Sequence, residues 1–286
     1  MTDQAESLRE MFEEQQPKKE NNTRIITVAS GKGGVGKSIF TVNIGLLLAR
    51  AGRKVTVMDA DFGLANINVI VGVLPKYNLY HVFNGEKKLT EIILKVDENF
   101  DIIAGANGFK QLADLKEYER VRFVKDFESL NNNDYLLIDV GAGISKNVLA
   151  MIKAADETFI VTTPEPTAVT DAYGIIKAIT SFNNNIKINL IVNRVKNMYE
   201  AKTVSQRIIN ISEQFLDVKI NYGGFIFDDA YVVRSIHEQS PIVNSYPRSN
   251  ASLCFNDIAG RIINEKIEGN RRSNLADFFK NLLKTG

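Results

Sequence analysis

Seven short apolar runs constrain this chain more than any other feature: "RIITVAS" at 24–30, "KVTVMDA" at 54–60, "FDIIAG" at 100–105, "DYLLIDV" at 134–140, "TFIVTTP" at 158–164, "KINLIVN" at 187–193 and "GGFIF" at 223–227. Most are rich in Ile, Val and Leu without polar alternation, as expected of strands buried on both faces of a parallel sheet. Between them, "SIFTVNIGLLLARAG" and "TDAYGIIKAITSF" place apolar residues at helical spacing. Parallel strands need crossover helices, so the expected fold is α/β, a doubly wound, mostly parallel sheet flanked by helices. At 286 residues the chain is long enough to bury such a core. Ahead of the first run, "EEQQPKKENN" has no apolar face and reads as a charged linker behind a short N-terminal helix over about 3–14.

The first run leads into "VASGKGGVGKSIF", residues 28–40. Gly31, Gly36, Lys37 and Ser38 satisfy the phosphate-loop pattern G-x-x-x-x-G-K-[ST], and the loop follows a strand and opens a helix, as the motif requires. Glycines 31, 33, 34 and 36 let successive N–H groups face inward, and the helix near Lys37 adds its positive dipole end. Lys37 is placed for terminal phosphates and the Ser38 hydroxyl for Mg²⁺. The loop, Gly31 through Ile39 with Val35 inside it, also carries an additional lysine, Lys32.

Partners for a metal and a water belong at the carboxyl ends of neighbouring strands. Two of those strands end in aspartate: "VTVMDADFGLAN" supplies Asp59 and Asp61, and "YLLIDVGAGIS" supplies Asp139. A carboxylate just beyond a buried strand is costly unless a cation or hydrogen bonds compensate it. For the base, "VNRVK" places Lys196 where a guanine-reading aspartate would stand, which favours adenine.

Composition narrows the function classes. Lys+Arg 35 against Asp+Glu 34 gives a net charge of +1, so no global field selects nucleic acid. The only cysteine, Cys254, excludes an intramolecular disulfide and any zinc or iron–sulfur site built from several thiolates of this chain. His81 and His237 have no neighbours suggesting a metal or a triad. Neither a signal-peptide core nor a run of about 18 apolar residues is present, so a soluble, cytoplasmic protein is expected.

Together "GKGGVGKS", "DADFGLAN" and "LIDVGAGIS" resemble the deviant-Walker ATPases of the MinD/ParA class, in order and spacing, from about residue 24 to about 245. The resemblance implies a MinD-like P-loop domain over 23–268, with ATP and Mg²⁺ as cofactors and an ATP-bound homodimer. In it Lys32 reaches the phosphates of the opposite subunit, Lys37 serves its own, and Asp61 orients the attacking water. Asp59 helps place the magnesium shell, Asp139 anchors the second switch loop, and Asn193 and Arg194 bracket the base. Many relatives carry a proline near Gly141 that this chain lacks.

The ends of the chain resemble a subgroup. "DQAESLREMF", within an N-terminal segment 1–22, is similar to the opening of flagellar-number regulators of the FlhG/FleN type. That implies stimulation of a flagellar GTPase of the signal-recognition-particle type, FlhF, with Gln4 as the inserted residue; basal-body (C-ring) components are further possible partners. The plain reading is an amphipathic helix. In the final segment 269–286, Leu275, Phe278, Phe279, Leu282 and Leu283 form one stripe beside Arg271 and Arg272, as in a helix lying on an anionic membrane. The competing reading is a last helix docked on the core. The functional expectation is a slow, dimer-dependent ATPase switch cycling between cytosol and membrane to set flagellar number. A MinD-type septum regulator, a ParA-type DNA-partitioning ATPase and a non-hydrolysing nucleotide-dependent scaffold remain the alternatives.

Overall fold

The computed structural model describes residues 23–61, 66–105, 122, 124–182, 186–265, 275 and 278–280. Eight strands form one sheet: β1 (Arg24–Ala29), β2 (Val55–Ala60), β3 (Ile93–Asp97), β4 (Phe100–Ile103), β5 (Tyr135–Val140), β6 (Glu157–Thr162), β7 (Lys187–Val195) and β8 (Ile220–Phe227). Their order is β3-β4-β2-β5-β1-β6-β7-β8, parallel throughout except for the β3–β4 pair. The seven expected strands are therefore present, and β3 is an additional one. Its "ILKVD" sits half exposed at the sheet edge, so the sequence there lacks the apolar run that marks a strand buried on both faces.

Period-two alternation sorts each central strand onto two cores. Ile25 and Ala29 of β1, with Leu136, Ile138 and Val140 of β5, face one. Ile26 and Val28, with Leu137, face the other. Five longer helices cover these faces, named here α1 (Lys37–Arg50), α2 (Lys146–Ala154), α3 (Pro166–Thr180), α4 (Met198–Leu216) and α5 (Asn250–Asn264). Helix α1 is buried along most of its length because α5 closes over it against the sheet. On the opposite face lie α2, α3 and, from α4, Ile208.

The C-terminal segment belongs to that same face. Leu275, Phe278 and Phe279 are no more than 1% exposed, and the Phe279 ring lies 3.7 Å, centroid to centroid, from Phe127. The stripe that resembles a membrane helix thus covers protein in this structure, and three of its five residues are core. Leu282, Leu283 and the boundary at 268–269 lie outside the described residues.

An ion cluster, buried at Arg24 and Glu157 and open to solvent at Lys187 and Glu265, closes the end of the sheet away from the strands' carboxyl ends. Arg24, at the start of β1, pairs with Glu157 and with Glu265, 2.7 Å away, and donates to the Ile262 carbonyl at 3.1 Å. Lys187 contacts both carboxylates, at 3.0 Å and 2.6 Å. Burial would raise the Glu265 carboxyl, but its bonds from Lys187 and Arg24 hold it below the usual carboxylate range. His81 fills a structural role, as expected: it accepts from the Asn78 N–H in the capping box of the short helix Leu79–Phe83.

Candidate nucleotide site

Strand β1 lies between β5 and β6, and the chain works outward to either side of it. At such a switch point the carboxyl ends of the strands leave a crevice. The loop from Gly31 to Gly36 occupies it. Gly36 has φ 97°, and a Cβ there would stand 2.4 Å from the Asn193 Nδ2. At Gly31 a Cβ would fall 2.1 Å from the Asp171 carbonyl oxygen, so the loop lies directly against α3. Helix α1 begins with no side-chain cap and no acidic residue in its first turn, leaving its first N–H groups to the crevice.

Two adjoining cavities make up the cleft, sharing Gly36, Ile39, Arg194 and Ile236. One, of about 370 Å³, is lined by Gly33, Gly34, Lys37, Ser38, Asp61 and Ala142. The other, of about 580 Å³, is bounded by Pro164, Glu165, Asn193, Phe227 and Val232. Their sizes suit a phosphate chain and a nucleoside side by side.

Lys37 is 7% exposed, with its Nζ 4.0 Å from Asp61 Oδ2. The Ser38 hydroxyl donates to Asp139 Oδ2 at 2.5 Å, while the buried Asp139 Oδ1 has no hydrogen-bond partner. Burial pushes the Asp139 carboxyl up to about 7 against the opposing pull of the Lys37 charge and the Ser38 bond. Asp59 stands beside Asp139 in register. Burial raises it to about 6, although it accepts from the backbone N–H groups of Asp61, Asn66 and Ile67 at 3.0, 3.0 and 3.4 Å. Both Asp59 oxygens are thereby committed to the loop after β2, where the sequence had pointed to the metal shell. Asp139 keeps an oxygen in reserve. That orphan atom, beside a hydroxyl and in a set of hard oxygen donors, fits a hydrated Mg²⁺. The loop after β5 is tied to the end of β1 by Gly143 N–H donating to Ser30 O at 2.9 Å.

Asn193 is 9% exposed and works as a strut: its Nδ2 donates to Val35 O at 2.7 Å, and its Oδ1 accepts from the Arg194 N–H at 2.9 Å. Arg194 takes the left-handed conformation, φ 57°, unusual for a residue with a Cβ. The pair expected to bracket the base therefore lines the larger cavity, with the Asn193 amide spent on the loop after β1. Lys32 lines neither cavity and is held by Glu165 Oε2 at 2.9 Å and Thr167 Oγ1 at 3.0 Å. Sequence reasoning missed both partners. Glu165 stands three residues past β6, at the N-cap of α3 before a helix-opening proline, exposed where Asp59 and Asp139 are buried within their strands.

A family profile described as AAA domain matches residues 23–192, more than half of the chain. The antiactivator FleN of Pseudomonas aeruginosa is 32% identical over 261 residues, spanning 91% of this chain and 93% of that protein. The chain belongs to the MinD/ParA family of ATPases. Within the family, the flagellum site-determining protein YlxH of Helicobacter pylori is 35% identical and spans 99% of both chains. The MinD structure from Pyrococcus horikoshii in complex with Mg-ADP superposes with a TM-score of 0.68 at 26% identity, covering 86% of this chain and all of that one. Among the features expected here, Gln4 and "FGLA" (62–65) lie outside the described residues. No helix among the described residues is long and apolar enough to cross a membrane.

Proposed function

We propose that the chain is an ATP-dependent dimerising switch that cycles between cytosol and membrane, regulates flagellar number or placement, and stimulates an FlhF-type GTPase through its N-terminal segment. One observation carries the reading. Lys37, Ser38 and Asp61 line one cavity with Asp139 bonded behind Ser38, while Lys32 of the same loop lines neither cavity and sits part-exposed, open to a second molecule. The similarity to FleN and YlxH, reaching almost to both ends, supports the flagellar role.

ATP enters with its phosphates along the loop N–H groups and Lys37, and its base in the cavity beside Arg194. Ser38 and Asp139 would hold Mg²⁺, which when bound neutralises charge on the terminal phosphates. Asp61 accepts a hydrogen bond from the attacking water, whose oxygen forms the new bond to the γ-phosphorus as the bond to the ADP oxygen breaks. Lys32 of a second copy stabilises the charge spread on the transferred group, so turnover depends on assembly. Two C-terminal segments on one dimer bind a surface more tightly than one by about 10²–10⁴-fold.

The test is co-sedimentation of the full chain with anionic and zwitterionic vesicles in ATP and in ADP. Binding to the anionic vesicles with ATP alone is expected. Equal binding in both nucleotides, or none in either, overturns the cycle; the second result turns the search to DNA. In parallel, a peptide of residues 1–20 accelerates GTP hydrolysis by an FlhF-type partner, and Gln4→Ala abolishes the effect.

A further inference from the structure

Two short helices from distant parts of the chain meet end to end beside the cleft. The helix Ile67–Ile70, after β2, runs out at Gly72 with φ 71°, and the helix Ala230–His237, after β8, runs out at Gln239 with φ 50°. Gly72 N–H donates to the Val69 carbonyl at 3.2 Å, and Gln239 N–H to the Ile236 carbonyl at 3.0 Å. A Cβ on Gly72 would stand 2.7 Å from the Gln239 carbonyl oxygen, so the two backbones touch. Left-handed backbone and close approach together call for glycine at 72. The helices serve different halves of the site. Val232, Val233 and Ile236 line the larger cavity, Asn66, Val69 and Ile70 line the smaller, and Ile236 reaches both.

We infer that Gly72 is a positioning residue: its contact with Gln239 joins the two helices into one clamp, through which a base in the larger cavity steadies the segment that carries Asp61. This rests on the nucleotide placement proposed above. The link from the first helix to Asp61 is Asp59, whose carboxylate accepts from the N–H groups of Asp61, Asn66 and Ile67 and so holds Asp61 and the helix start together. The second helix is pinned on both sides, by Asp229 accepting from the Ala251 N–H of α5 at 3.1 Å and by Val243 N–H donating to Asn43 of α1 at 3.2 Å. A base packed against Val232 and Ile236 therefore presses on a helix that has little freedom to yield, and Gln239 passes the constraint to Gly72. Phosphates alone fill the loop and leave this half of the clamp unloaded. The nucleoside thus contributes to the order of the water-side carboxylate as well as to affinity.

The experiment is hydrogen exchange of the full chain with saturating ADP or pyrophosphate, each with Mg²⁺, read over 66–73 and over 230–238. In the parent, ADP slows exchange over 66–73 by about five-fold or more beyond pyrophosphate. Gly72→Ala loses that excess over 66–73 and keeps it over 230–238, because the base still binds. Gln239→Gly, which retains the carbonyl and suits the left-handed backbone, keeps the excess in both segments. Ile236→Ala, a change to a good helix former, reduces the excess over 66–73 and carries the test if Gly72→Ala does not fold. Phosphate release gives a second readout: Gly72→Ala lowers kcat for ATP by up to about 100-fold with KM little changed, since the displaced carboxylate acts on the water and not on binding. An undiminished excess over 66–73 in Gly72→Ala or in Ile236→Ala overturns the clamp, as does an excess confined to 230–238 in the parent. Equal protection by ADP and pyrophosphate in both segments of the parent overturns the placement of the base, and the clamp with it.

Discussion

Replacing Phe127 by leucine separates the two surfaces that compete for the C-terminal segment. Phe127 is fully buried and belongs to the body of the domain, while its neighbour Phe279, 3.7 Å away between ring centroids, belongs to the segment proposed to reach the membrane. Phe279 in turn meets Phe278 edge-on at 4.8 Å. Burying Leu275, Phe278 and Phe279 contributes about 1.5–3 kcal/mol each before ordering entropy is subtracted, so docking competes directly with insertion. Phe127→Leu leaves every residue of the C-terminal stripe intact and removes an aromatic pair worth about 0.5–1.5 kcal/mol beyond its area. The ratio of docked to undocked segment should fall by about two- to twelve-fold. Global stability should fall by on the order of 1 kcal/mol, small enough to keep the fold. Hydrogen exchange over 275–280 should quicken, and sedimentation with anionic vesicles in the absence of nucleotide should rise. If exchange quickens while vesicle binding stays flat, the segment is no membrane element. If exchange does not change, Phe127 is not what holds it.

Three further outcomes follow from the cleft. Asp61→Asn should lower ATP turnover by about 10²–10⁴-fold while ATP-driven dimerisation persists, since it replaces the carboxylate proposed to polarise the water by a neutral amide and leaves Lys37 and Ser38 in place; phosphate release and sedimentation measure the two separately. Asn193→Ala should cost about 1–3 kcal/mol in urea unfolding, because the Val35 carbonyl loses its donor, and should weaken binding of a fluorescent ATP analogue. Asp59 and Asp139 have folded-state values of about 6 and about 7, above their unfolded ones. Their contribution to stability is therefore complete below the unfolded value and lost as pH rises through that window. The ligand-free protein should lose stability from pH 5 to pH 8 through these two groups, and the gain in melting temperature on adding Mg²⁺ and nucleotide should be larger at pH 8. A gain larger at pH 5 would refute the assignment of Asp139 to the cation.

What was legible in the sequence is what local chemistry dictates. A strand buried on both faces has to be apolar, so seven strands could be seen; β3, half exposed and carrying Lys95 and Asp97, could not. Loop glycines, Lys37 and Ser38 are set by spacing of a few residues, and Asp139 by a strand end. Long-range partners leave no such trace: Glu165 is 133 positions from Lys32, and Asn193 is 158 from Val35. Asp59 shows a second limit. A buried carboxylate demands compensation, but the sequence does not say whether a cation or three backbone N–H groups supply it. The C-terminal stripe shows a third, because apolar side chains at helical spacing look the same whether protein or lipid covers them.

The ion cluster of Arg24, Glu157, Lys187 and Glu265 fixes the anchor points of both chain ends at one spot. Strand β1 runs six residues from that spot to the phosphate loop, about 20 Å. From there the two ends have very different tethers. Gln4 lies 19 residues before Thr23 and can reach at most about 65 Å, whereas Leu275 lies ten residues after Glu265 and is confined to about 35 Å. On length alone even the shorter tether exceeds the distance to the phosphate loop, so it is the burial of Leu275, Phe278 and Phe279, and not chain length, that fixes where this segment lies. The longer tether allows, on length alone, a reach about twice as great, so a GTPase met through Gln4, as proposed, need not dock beside the ion cluster.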